Sequence, residues 1–141
     1  MSWKNKVELR ELESGDWEIS FNNPDMGNII IPAPLKSQFS CGALIVAGAL
    51  CCTTGSVLYE LDARKPGARY NVIRSSATQS RKLDEKGRVV LDSIDVHVEV
   101  DVPEEHRDVF KDVLKEHEDN QCSMVRSLNR GIKAEITLKK I

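Results

Sequence analysis

The sequence predicts a single α+β domain spanning residues 1–141, and three observations predict it. Two pairs of alternating runs each flank a turn-rich tetrad. A long Ala-, Leu- and Val-rich stretch without proline separates the pairs, and an amphipathic run opened by a proline follows them. With 141 residues, 40% of them hydrophobic, the chain can bury one compact core, which excludes a large two-domain enzyme.

Lys6–Leu12 and Trp17–Asn22 flank Glu13, Ser14, Gly15 and Asp16, which reads as a β-hairpin, and Asn28–Ile31 adds a short strand. Pro32 and Pro34 remove amide donors and restrict their neighbours, so the next regular element begins after them. From Cys41 to about Arg64 the chain is apolar on nearly every side until Tyr59, and Lys65-Pro66-Gly67 ends it. Such a helix is expected to be buried all round, at the centre of the core. Tyr70–Lys82 and Arg88–Val102 surround Asp84-Glu85-Lys86-Gly87. In the second run Ile94, Val96, Val98, Val100 and Val102 alternate with Asp95, His97, Glu99 and Asp101, the pattern of a long antiparallel hairpin with one wet face.

Pro103, with Glu104 and Glu105 behind it, opens a helix to about Glu118 whose apolar stripe is Val109, Phe110, Val113 and Leu114. A second short helix carries Cys122, Val125 and Leu128 at three-residue spacing, and Gly131 closes it. Ile132–Lys140, alternating Ile132, Ala134, Ile136 and Leu138, is expected to form a last strand.

Twenty Lys plus Arg against 22 Asp plus Glu leave a formal net charge of -2, which builds no single-sign field for nucleic acid or an anionic membrane. The apolar run Gly42–Cys52 falls short of the roughly 20 residues of a membrane span. Met1–Leu12 carries charges of both signs where a signal peptide has its apolar stretch. A soluble cytoplasmic protein is expected, with neither nucleic acid nor membrane as partner.

Four cysteines, Cys41, Cys51, Cys52 and Cys122, are too few and too unevenly spaced for a disulfide scaffold, and no CxxC is present. His97, His106 and His117 do not stand at metal-ligand spacing from a cysteine, so no metal or other cofactor is expected. Single buried cysteines are commonly small hydrophobes. Two thiols from different helices meeting in one core would instead suffice to reduce a peroxide: one thiolate takes the peroxide oxygen and becomes a sulfenic acid, and the second condenses with it to a disulfide. Cys51 and Cys52 point about 100° apart on a helix, so only one of them can face Cys122, and the other reads as core. Cys41 shares the helix face of Cys52 but lies about 16 Å away along a regular helix, and it reads as packing.

The segment Ala47-Gly48-Ala49-Leu50-Cys51-Cys52-Thr53, followed by Val57 and Leu58, resembles the AALxxCT helix of OsmC/Ohr-type hydroperoxide reductases, with Cys52 at the first family cysteine. Cys122-Ser123-Met124-Val125-Arg126-Ser127-Leu128 is similar to the second family motif, CPVSxxL. The resemblance implies an OsmC-like fold, with antiparallel sheets wrapped around a long buried central helix in an intertwined homodimer. It implies reduction of organic hydroperoxides in oxidative-stress defence, with Cys52 and Cys122 as the catalytic pair: Cys52 attacks the peroxide and Cys122 resolves. An external dithiol, in many members a lipoyl protein, would recycle the disulfide.

Against that pattern, no carboxylate stands between Pro32 and Glu60 where family peroxidases carry a Glu, Arg10 lacks the family's glycine-containing turn, and Ser123 replaces a proline. A cysteine in mid-helix gains nothing from a helix N-terminus and apolar surroundings raise its pKa, so Cys52 needs a cation, for which Arg126 is a candidate. The other readings are a protein that keeps an apolar cleft for a small ligand without peroxide chemistry, and a redox sensor that signals through its disulfide. Trp3 and Trp17 are candidates to line an apolar pocket or to cover a core edge.

Overall fold

The structure, a computed structural model, describes residues 5–38, 40–67, 70, 72–119 and 122–138, with the backbone alone at Cys41, Val72, Ile73 and Asp119. The chain forms two compact units, Met1–Cys41 and Gly42–Ile141.

In the first unit, β1 (Glu8–Glu11), β2 (Trp17–Ser20) and β3 (Ile29–Ile31) form an antiparallel sheet in that order, with Glu8 opposite Ser20 and Trp17 opposite Ile31. The tetrad makes the expected turn: the Leu12 amide donates to the Asp16 carbonyl at 2.8 Å, and Gly15 takes φ +85°, a conformation that a Cβ would strain. Asp16 then reaches forward to accept the Ala33 amide at 2.8 Å, fixing the 3₁₀ turn Ala33–Leu35 that the two prolines impose. That bond, with a lesser one to Ser14, holds the Asp16 carboxyl below the usual range. Ile19 and Ile31 form the buried side of this sheet. The Trp17 indole donates to Glu11 at 3.2 Å and lies under the Lys36 ammonium, 5.0 Å from the ring centroid. Trp17 thus stands on the central strand, against Glu11 and Lys36 of its own unit, and Trp3 lies outside the described residues.

The second unit contains α1 (Cys41–Arg64), the hairpin β4 (Val72–Leu83) with β5 (Val89–Asp101), α2 (Arg107–Asp119) and α3 (Ser123–Arg130). At the hairpin tip Asp84 accepts the amides of Lys86 and Arg88, each at 2.9 Å, and Gly87 takes φ +72°. The Arg88 guanidinium on its second oxygen holds the Asp84 carboxyl below the usual range. The expected alternation holds along β5, where Ile94, Val96, Val98 and Val100 are half-buried and Asp95, His97, Glu99 and Asp101 are exposed. A bulge at Ser80/Arg81 interrupts the register: Ser80 faces Ser93 and Arg81 faces Leu91, which leaves Asp92 as the extra residue.

Val57 and Leu61 of α1, Val102, and Phe110 and Val113 of α2 form the core of this unit, flanked by Val98, Val100, Val109 and Leu114. The predicted stripe of α2 is thus the face it buries, although the helix is preceded by a 3₁₀ turn, Glu104–His106, behind Pro103. Gly131, at φ +76°, closes α3 by donating its amide to the Leu128 carbonyl at 3.2 Å.

Two expectations are corrected. The helix α1 is not buried on every side in the single chain, because Leu44, Ile45, Cys51 and Tyr59 are exposed, Tyr59 at 73%. An all-round apolar helix demands cover on two sides, and within one chain only one side receives it. By length and composition alone Gly42–Arg64 is long and apolar enough to cross a membrane, contrary to the shorter run read from the sequence. Its Thr54 hydroxyl donates to Ser75 of β4 at 2.9 Å, and Val57 and Leu61 share a core with Phe110 and Val113 of α2.

The predicted last strand is absent over its described part. Residues 132–138 pair with no strand, and Ile136 and Leu138 are 84% and 91% exposed. Alternation supplies a two-faced strand but not its pairing: a sheet edge must also be in reach, and among the described residues 132–138 take none. Lys139 and Lys140 lie outside the described residues.

Leu61→Ala is expected to lower unfolding stability by about 3 kcal/mol through the cavity it leaves. Gly87→Ala should cost about 1 kcal/mol through strain at positive φ. Urea titration measures both, and a Leu61→Ala midpoint equal to the wild type would contradict the placement of the core.

Candidate functional site

Helical geometry sorts the residues of α1 into rows four apart. Ala49, Thr53, Val57 and Leu61 form one row, with Ala49, Val57 and Leu61 buried and Thr53 half-buried among them. Cys52, Ser56 and Glu60 form the adjacent row. The first row faces the core, and the second runs along its rim.

Against this rim stands the start of α3. Cys122 is its N-cap residue, at φ -60° and ψ 161°, and its own side chain makes no capping hydrogen bond. The first amides of α3 therefore lack the usual partner. The Cys52 sulfur lies beside this helix start, 4.0 Å from the Ser123 hydroxyl. The Met124 amide and the Cys122 thiol both favour its anion. Thr53, from the core row, holds Cys122 in turn with its hydroxyl 3.6 Å from Sγ. The structure thus brings Cys52 and Cys122 together as reduced thiols, Cys122 buried and Cys52 half-buried.

Burial pushes the Cys52 thiol up, but the Cys122 thiol, the Met124 amide, the Ser123 hydroxyl and the positive charge of Arg126 together outweigh it and hold Cys52 below the ordinary thiol range. The expectation that Cys52 gains nothing from a helix N-terminus is overturned. Its own helix begins about 16 Å away, but the positive end of α3 is in contact with it. The cation expected at the site is Arg126, one turn along α3, which forms no ion pair among the described residues. Arg10 is committed to Glu18 of its own sheet at 2.6 Å.

Two cavities meet at Cys122. One, of ≈ 580 Å³, has an apolar side made by Ala49 and Val57 of the core row, Ile94, Val96 and Val98 of β5 and Leu114, Val125 and Leu128, with Asp92, Ser93, Glu118 and Asn129 also in its wall. The other, of ≈ 540 Å³, is polar: Ser56, Tyr59, Glu60, Glu116, His117, Ser123 and Arg126 line it. Cys122 and His117 border both cavities, and Cys52 borders neither. The His117 ring is fixed by Nδ1 donating to the Val113 carbonyl at 2.9 Å.

No protein-family model matches the sequence, and no curated protein does. The structure is similar to the crystal structure of an OsmC-like protein from Mycoplasma pneumoniae, with a TM-score of 0.62 and 20% sequence identity over 92% of this chain and 89% of that one. The chain has an OsmC-like fold.

In this OsmC-like fold Cys51 points to solvent, which corrects its reading as a core residue, and the side chain of Cys41 lies outside the described residues. Thr53, Ser123 and the Met124 amide were not singled out from the sequence as parts of the site. The four-residue row through Thr53 and Val57 was the available signal for Thr53. Nothing in the sequence pointed to an amide of another helix.

The rate of Cys52 alkylation by iodoacetamide is expected to reach half its maximum at a pH below that of an unperturbed thiol. Ser123→Ala and Arg126→Gln remove groups that favour the anion, so each should move that midpoint upward. Profiles that superimpose on the wild type in both variants would mean that neither group acts on the thiolate.

Proposed function

We propose that the protein is a thiol peroxidase that reduces organic hydroperoxides through Cys52 and Cys122, in a reducing cytoplasm and without a metal. The observation that carries this reading is the meeting of two free thiols, Cys52 beside the start of α3 and favoured toward its thiolate, and Cys122 in the wall of an apolar cavity of ≈ 580 Å³. The Cys52 thiolate attacks the terminal peroxide oxygen, the O–O bond breaks, and the alkoxide leaves and takes a proton, which leaves Cys52 as a sulfenic acid. The Cys122 sulfur then attacks the sulfenic sulfur, water leaves, and a disulfide joins the two residues. An external thiol reductant returns both sulfurs to the starting state. The apolar cavity accounts for preference: a hydrocarbon tail gains roughly 25 cal/mol for each Å² it removes from water, and hydrogen peroxide has no tail.

The resemblance to the OsmC/Ohr family also supports a homodimer. The exposed side of α1 at Leu44 and Ile45, and the unpaired alternating segment with Ile136 and Leu138, are apolar surface that a second copy would cover. Light scattering on the purified protein is expected to return twice the chain mass, and a monomer at micromolar concentration would overturn that part.

The deciding assay follows consumption of cumene hydroperoxide and of hydrogen peroxide by the reduced protein with excess dithiothreitol, alongside intact mass. Cumene hydroperoxide should be the faster substrate, and Cys52→Ser should abolish turnover. Cys122→Ser should be oxidised at Cys52 but fail to form the internal disulfide. Turnover untouched by Cys52→Ser, or none in the wild type, would sink the peroxidase reading and leave the apolar cavity as a ligand site.

A further inference from the structure

The catalytic proposal leaves the polar cavity unused, although Cys122 forms part of its wall. Its charged groups come from three helices: Glu60 from α1, Glu116 from α2 and Arg126 from α3. The carboxylates are held in place from outside the cavity lining by Arg64, which pairs with Glu116 and lies 3.8 Å from Glu60. Arg126 has no carboxylate partner among the described residues. A cavity with two acids, one unpaired guanidinium and a sulfur in its wall is complementary to a small molecule bearing both charges and a thiol.

We propose that this cavity binds the reductant, and that the reductant is a small zwitterionic aminothiol of the amino-acid class, its carboxylate on Arg126, its ammonium at Glu60 and Glu116, and its sulfur at Cys122. This rests on the reading that a Cys52–Cys122 disulfide forms. The reductant's thiolate attacks the Cys122 sulfur; the bond to Cys52 breaks, and its electron pair leaves with Cys52 as a thiolate. A second thiolate attacks the reductant's sulfur in the mixed disulfide, releasing the symmetrical small disulfide and Cys122, which takes a proton. Two small thiols are thereby oxidised and one protein disulfide is reduced.

Access selects Cys122 as the sulfur attacked: it borders the cavity, whereas Cys52 does not. The apolar cavity on the other side of Cys122 stays available to the hydroperoxide tail, so oxidant and reductant approach the same pair from different sides. A neutral dihydrolipoyl arm offers neither charge to this cavity.

The test starts from protein oxidised with diamide, so that it does not depend on peroxide chemistry. Reduction of the disulfide is followed by intact mass with L-cysteine, cysteamine (no carboxylate), 3-mercaptopropionate (no ammonium) and dihydrolipoamide, each rate expressed per thiolate. Cysteine should exceed both half-ligands by about tenfold, the factor that roughly 1.4 kcal/mol of added binding gives. Arg126→Gln should bring the cysteine-to-cysteamine ratio to about one, and Glu60→Gln should do the same to the cysteine-to-mercaptopropionate ratio. Because these are ratios, a general effect of either substitution on Cys52 cancels. Equal rates for the three monothiols, ratios unmoved by both substitutions, or dihydrolipoamide fastest in every variant would each overturn the proposal. Failure of diamide to form the Cys52–Cys122 disulfide would overturn it as well, whereas a protein that shows the ratios yet consumes no peroxide would keep this site and lose only the peroxidase reading.

Discussion

The packing of Val57 and Leu61 of α1 in one core with Phe110 and Val113 of α2 is the constraint on which the rest of the larger unit depends. Val57 and Leu61 against Phe110 and Val113 fix both the rotation of α1 about its axis and its height along it. Once those are fixed, Cys52 and Thr53 have no choice of direction, since each lies four or five residues from Val57 on a rigid cylinder. The short link from α2 to α3 then sets where Cys122 arrives. A site that needs two sulfurs within bonding reach is thus positioned by side chains that take no part in any chemistry.

The electrostatics of Cys52 follow a distributed plan. A buried thiolate is expensive, and the usual remedy is one adjacent full charge. Here the anion is favoured by several small contributions: one amide, two hydroxyl or thiol donors, and a guanidinium one helical turn away. Donors of this kind are already aligned before the anion forms, so little reorganisation accompanies its appearance.

Much of the fold was legible in local pattern. Period two in β5, period 3.6 in α2, and glycines at Gly15, Gly87 and Gly131 mark elements whose driving forces act within a few residues, and each lies where expected. The misreadings have a common physical origin. Apolar periodicity around α1 and along Ile132–Leu138 says which surfaces avoid water, but not whether cover comes from the same chain. At the site, the two sulfurs were legible as a pair from motif order. The environment of Cys52 was not, because its determinants are an amide without side-chain signature and a serine and arginine some 70 residues away, which meet it only through tertiary packing.

The bulge at Asp92 acts on the phase of a whole strand. With one extra residue in β5, the face that carries the even series Ile94, Val96, Val98 and Val100 passes beyond it to the odd positions Leu91 and Val89, both exposed, while β4 keeps its parity throughout. Leu91 thereby enters the wall of the apolar cavity. The hairpin is in this sense a spliced ruler, graduated differently on either side of one residue. Deleting Asp92 would restore an unbroken ladder yet carry Leu91 to the opposite face, so the irregularity that a tidier strand would lack is what puts Leu91 into the cavity wall, beside Asp92 and Ser93.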